Sequence, residues 1–170
     1  MNANQNIMGR GKAERTRFHL DGRSVKLDRR VNAVRGDLAD FSLAGVLFAP
    51  HYAKAEAMHC LGAAFVREAG AADAVASSQL LPGETFHLFD VTGGWAWGFC
   101  DHDGYVGYVE RAALSVGMLP ATHHVIARSA PLFSAPDIKS PVAGALPAGA
   151  RIAGVVEGDF IVTEAGAVHS

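Results

Sequence analysis

The stretch Leu80–Val109, LLPGETFHLFDVTGGWAWGFCDHDGYVGYV, restricts what this chain can fold into more than any other. Three β-forming runs, Thr85–Val91, Trp95–Phe99 and Tyr105–Val109, are separated by Pro82-Gly83, Gly93-Gly94 and Asp101-His102-Asp103-Gly104. Each separator carries turn chemistry: proline presets φ, glycine accepts positive φ, and aspartate bonds back to its own backbone. A period of two places Trp95, Trp97 and Phe99 on one face and Ala96 and Gly98 on the other. Short loops between such runs dictate an antiparallel meander, so the expected fold class is mainly β, organised as small twisted barrels.

The remaining composition sets outer limits. A chain of 170 residues holds one ordinary domain or two small ones. Hydrophobic content of 49% with 19% charged residues is globular, which excludes wholesale disorder. No run approaches the ~18 apolar residues of a membrane span. The N-terminal MNANQNIMGRGKAER has no apolar segment behind its positive charges, unlike a secretory signal. The cysteines, Cys60 and Cys100, are too few for a disulfide scaffold. A cytoplasmic protein without cofactor is expected. Charge is uneven: residues 1–35 carry nine Lys and Arg against Glu14, Asp21 and Asp28, while the rest has six basic and 14 acidic residues. Such an arm can approach nucleic acid or anionic lipid. Without a nucleic-acid motif, a solvated, poorly ordered extension over 1–26 is the expectation.

Along the chain, 27–57 reads as a lead-in segment. Asp37 is expected to cap a helical turn through Leu43, with Leu38 and Phe41 inward, and Val46–Ala49 to form a brief strand stopped by Pro50. Residues 58–115 form a first module: an opening strand in Met58–Val66, a loop over Ala69–Ser78, the meander, and a closing helical turn over Glu110–Leu114. After a linker at 116–122, residues 123–170 repeat the pattern in outline. Leu146-Pro147-Ala148-Gly149 answers Leu81-Pro82-Gly83, Ile152–Val156 answers Phe86–Val91, Phe160-Ile161-Val162 answers Trp95–Trp97, and Gly166 answers Gly104. The last strand and terminal turn of the first module have no counterpart before Ser170.

The pattern Leu-Pro-Gly-Glu (81–84), Gly-Trp-Ala-Trp-Gly (94–98) and Asp-Gly-Tyr-Val-Gly-Tyr-Val (103–109) resembles the bacterial SH3-like (SH3b) module that precedes NlpC-type papain-like cysteine endopeptidases. The lead-in Leu27-Asp28-Arg29-Arg30 and the run Ala135–Pro141 share the resemblance, which covers 27–170. It implies two SH3-like β-barrels in tandem, the second incomplete at its C-terminus. It also implies a role in hydrolysis of murein peptides at the γ-D-glutamyl–diamino acid bond. That family's nucleophile stands in an Asp-Cys-Ser-Gly type motif, which this sequence lacks. The resemblance therefore implies the accessory, substrate-gating part of such an enzyme, with murein peptides and a peptidase domain as partners. A stand-alone protein-interaction module is the alternative.

Candidate site residues follow from chemistry and from the resemblance. Cys100 and His102 can share a face at a hairpin end, but a strand offers a thiolate neither oxyanion hole nor helix dipole, so no catalytic residue is expected. Cys60 reads as core. Asp101, His102 and Asp103 can hold a cation, yet Asp-x-Asp-Gly is ordinary hairpin chemistry, so no metal site is expected. Of Trp95, Trp97, Tyr105 and Tyr108, at least two are expected inside the barrel, Trp95 or Trp97 as plug and Tyr108 as lining. The others belong to an exposed patch in which Trp97 and Tyr105 are cross-strand neighbours. Substrate or partner binding is assigned to Glu68, Glu84, Trp97, Asp101, Asp103, Tyr105 and Tyr108.

Overall fold

The meander forms as its pattern dictates, and it lies at the centre of a seven-stranded antiparallel sheet. The computed structural model describes residues 26–170, so the basic extension lies, except for Lys26, outside the described residues. The strands of the lead-in are β1 (Leu38–Asp40) and β2 (His51–Ala53), paired in parallel. The first module contains β3 (Glu56–Cys60), β4 (Ala64–Arg67), β5 (Ala76–Leu80), β6 (Thr85–Thr92), β7 (Trp95–Cys100), β8 (Val106–Glu110) and β9 (Leu114–Val116), in the order β5-β4-β8-β7-β6-β3-β9. Met58, Cys60, Val66, Leu80, Phe86, Ala96, Cys100, Val109 and Leu114 draw one core from every one of these strands. Laid flat, the edge strands β5 and β9 would stand roughly 29 Å apart at normal strand spacing. Sharing a core therefore requires the sheet to curl round, and it does so without β5 and β9 pairing to close it.

The small face of β7 points inward. A Cβ on Gly98 would lie 2.0 Å from the His87 carbonyl oxygen and 2.8 Å from the Phe86 ring. Glycine is what lets β6 and the Phe86 ring approach this closely. The interior is therefore plugged by Phe86 and Met58, not by a tryptophan, and Tyr108 does not line it. Trp97 is buried on the opposite face.

The second unit has β10 (His123–His124), β11 (Ser129–Phe133), β12 (Val142–Pro147), β13 (Arg151–Ile152), β14 (Val155–Glu157), β15 (Phe160–Thr163) and β16 (Gly166–His169). Its order, β12-β11-β16-β15-β14 with β10 on β13, is that of β5-β4-β8-β7-β6-β3 if β6 is broken into β13 and β14. The turns agree atom for atom. Gly83 N donates to Cys60 O and Cys60 N to Glu84 O; Gly149 N donates to Val125 O and Val125 N to Ala150 O. The strand following Gly166 is present as β16, paired to β15 and β11. The second unit lacks a counterpart of the 3-10 turn Arg111–Ala113 and of β9.

Several local expectations are corrected. Met58–Val66 is two strands with a turn between them, because Leu61-Gly62 breaks the run. β5 begins at Ala76, inside the expected loop, since Ser77 and Ser78 supply a polar strand face. Val46–Ala49 is no strand; Ala44 and Leu47 make an isolated bridge, and β2 starts after Pro50. Asp40, not Asp37, caps the short 3-10 turn Phe41–Leu43, accepting from Ser42 N at 2.9 Å, and Phe41 is exposed. Asp37 is instead engaged by Arg35.

Candidate functional site

Register decides what meets on the outer face. Asp90, Trp97, Tyr108 and Arg67 are successive Cα partners across β6, β7, β8 and β4. A bulge between Leu88 and Asp90 turns Phe89 to the same side, where its ring centroid lies 5.6 Å from Trp97 and 5.9 Å from Phe99. His87 stacks on Phe99 at 4.5 Å. The lead-in covers this row through Arg35. Its guanidinium lies 4.7 Å from the Trp97 ring centroid, while Nη2 donates to Asp90 Oδ2 at 2.6 Å and Nε to Asp37 Oδ1 at 2.7 Å. Hydrogen bonds to Asp37 and then Asp90 hold the guanidinium above its ordinary range, and Arg35 holds the Asp90 carboxyl below its own. Trp97, only 4% exposed, is thus an anchor for the lead-in and not an open ligand platform.

Tyr105 is not the cross-strand neighbour of Trp97. That neighbour is Tyr108, because Phe99 pairs with Val106 and the Tyr105 carbonyl accepts from Cys100 N. The two expected halves of one patch are therefore two places. Tyr105 stands half-buried at the Asp101–Gly104 turn, its backbone N–H donating to Asp103 Oδ1 at 2.9 Å. The lead-in passes here too, its Arg30 carbonyl accepting from Val106 N.

The hairpin end gathers most of the polar candidates. His102 Nε2 lies 3.3 Å from Asp103 Oδ2 and its Nδ1 lies 3.6 Å from Glu84 Oε2. Ser78 Oγ donates to Asp103 Oδ2 at 2.5 Å, and Leu81 N to Glu84 Oε2 at 2.8 Å. Asp101 Oδ1 stands 2.8 Å from His87 Nε2 and remains largely exposed. Glu68 is exposed in the loop after β4 and joins neither network. Glu84, Asp101, Asp103 and Tyr105, singled out from the sequence, lie at this hairpin end, whereas Asp90, Arg35, Ser78 and the approach of His102 to Glu84 carry no sequence signal. An arginine ahead of a β-module gives no sign of which ring it will cover.

Both thiols, Cys60 and Cys100, are buried. Burial, with Asp103 and Glu84 nearby, pushes the Cys100 thiol far up, and burial pushes Cys60 up. Cys60 Sγ donates to Gly62 O, as a core thiol does. A shallow groove of about 270 Å³ in the second unit, edged by Ser134, Pro136, Thr163 and Glu164, contains none of the predicted residues.

Residues 66–114 match the family model of the bacterial dipeptidyl-peptidase Sh3 domain. Over this stretch the chain is similar to a bacterial SH3 domain. The match runs from β4 through Leu114, so it covers the meander, the hairpin end and the Trp97 row. Among curated proteins no relative matches the chain. No helix among the described residues is long and apolar enough to cross a membrane.

Proposed function

We propose that this chain is the substrate-recognition region of a bacterial murein-peptide hydrolase, gating access to an NlpC-type cysteine peptidase domain in the same or a separate polypeptide. The observation that carries this reading is the SH3 domain match over strands that present Asp101, Asp103 and Tyr105 together at one hairpin end. The largely exposed Asp101 carboxylate near an amphipathic ring suits a peptide with a free α-amino group, held by a charge-assisted hydrogen bond. Cleavage belongs to the partner domain, since both thiols of the chain are buried. The second unit is a second SH3b module that spaces the first from its partner, and the protein works in the cytoplasm on recycled murein peptides.

Calorimetric titration with L-Ala-γ-D-Glu-diaminopimelate tests the reading. Binding is expected, with a loss of about tenfold when the peptide α-amine is acetylated or when Asp101 is changed to Asn, the value of one charge-assisted hydrogen bond. Tyr105→Ala should weaken binding while the domain stays folded. Binding indifferent to acetylation, or none at all, overturns it and leaves a stand-alone protein-interaction module.

A further inference from the structure

We propose that Cys100, His102 and Asp103 form a binding site for a zinc-class divalent transition-metal ion, with Glu84 orienting His102 from behind. One donor atom from each of the three lies within 4.8 Å of the other two. The histidine–aspartate pair already has metal-site spacing. His102 Nε2 and Asp103 Oδ2 are 3.3 Å apart, and tetrahedral zinc with N and O bonds of about 2.0–2.2 Å sets its donors roughly 3.3–3.5 Å from one another. With Nε2 facing the ion, Nδ1 is turned toward Glu84 Oε2 at 3.6 Å, from which a shift of a few tenths of an ångström would make the carboxylate–histidine hydrogen bond that orients a ligating histidine. Glu84 is itself held by Leu81 N, and Asp103 by Ser78 Oγ, so both carboxylates are positioned by other groups.

Charge points the same way. Among the described residues the only ion-pair partner of Glu84 and Asp103 is His102, and no lysine or arginine neutralises them. A dication placed between the thiol, the imidazole and the Asp103 carboxylate would. The donor set also selects the ion: sulfur and imidazole favour zinc and its neighbours, while magnesium and calcium prefer oxygen alone. Three protein donors leave a fourth position for water or a ligand. The fold builds the set locally. Cys100 ends β7 with its side chain in the core, and the turn that follows, closed by Gly104 N to Cys100 O, brings His102 and Asp103 back beside it. Read as a sequence, Asp-His-Asp-Gly is a turn; Cys100 and Glu84 are what the tertiary structure adds.

The test uses the whole chain, stripped with chelator and titrated with Co(II) and Zn(II) in the absence of peptide. One equivalent of cobalt should give a thiolate-to-metal charge-transfer band, displaced by zinc, and zinc but not magnesium should raise the melting temperature. His102→Ala and Asp103→Asn should each weaken zinc binding at least about tenfold, and Glu84→Gln about tenfold, the usual range for an outer partner. Cys100→Ser should abolish the charge-transfer band; if that core variant does not fold, His102→Ala decides. A double His123→Ala, His124→Ala variant controls for adventitious histidines and should bind as the parent does. Absence of the band, zinc affinity unchanged in His102→Ala, or an equal response to magnesium overturns the proposal.

Discussion

The two sheets follow one strand order with very different interiors. In the first, Phe86, Met58, Leu80, Val66 and Val109 are all but inaccessible to solvent, and the outer face is covered in turn by Arg35 over Trp97. In the second, the core is Val125, Ala130, Ala150, Ile152, Ile161 and Val168, with no aromatic or methionine among them. Its edge strand β14 is exposed along its length, and Val142, Val155 and Val156 face solvent. The backbone topology is held by the shared turns and by close glycine approaches, Gly98 on His87 in the first sheet and Gly154 on Val162 in the second. Turn chemistry thus suffices to set the strand order, whereas side-chain volume decides how firmly each sheet is held. The contact between the units is backbone on backbone, Arg151 N donating to Pro82 O at 2.8 Å, with Gly83 pressed against Arg151.

The comparison breaks most sharply at the cores. Phe86→Ala should cost about 3–5 kcal/mol and unfold the first sheet, while Ile161→Ala should cost about 2–4 kcal/mol in the second. Two calorimetric transitions, each moved by only one of these variants, would establish the sheets as separate cooperative units. A single transition moved equally by both would make them one.

A smaller effect is expected where the lead-in crosses the first sheet. Arg35→Ala removes a cation–π contact and two part-exposed ion pairs, to Asp37 and Asp90, together worth about 1–2 kcal/mol. It should speed amide exchange in β6 and β7 and leave β15 and β16 unaffected. The same contact predicts a pH dependence. Because Arg35 lowers the Asp90 carboxyl from its ordinary value of 3.8, the stabilisation is fully present above that pH. It is lost as pH falls through the lower folded-state value. The melting-temperature gap between the parent and Asp90→Asn should therefore be constant near neutrality and close below that pH. A gap that widens in acid would mean Asp90 is not held by Arg35.

The smallest effect is expected at the open edge. Val155→Thr, on exposed β14, should change stability by no more than about 0.5 kcal/mol, as surface substitutions do. A larger loss by thermal melting would show that β14 is covered in solution.

Sequence alone determined what is local. The three runs of the meander, the placement of its turns and the partition of Trp95, Trp97 and Phe99 from Ala96 and Gly98 follow from a period of two and from glycine, proline and aspartate at fixed positions. The repeat was legible for the same reason, through Pro82-Gly83 and Pro147-Ala148-Gly149. Tertiary structure decided which face is inside, because bulky rings on one side look like a core until Phe86 is seen to need the space above Gly98. It also decided register: the four-residue turn sets Tyr108, not Tyr105, beside Trp97, and the bulge at Phe89 sets Asp90 on its other side. The partners of the candidate residues come from distant segments, Arg35 from the lead-in, Glu84 from the preceding turn and Ser78 from β5. A side chain's own sequence neighbourhood specifies its strand, but only the curl of the sheet specifies what it meets.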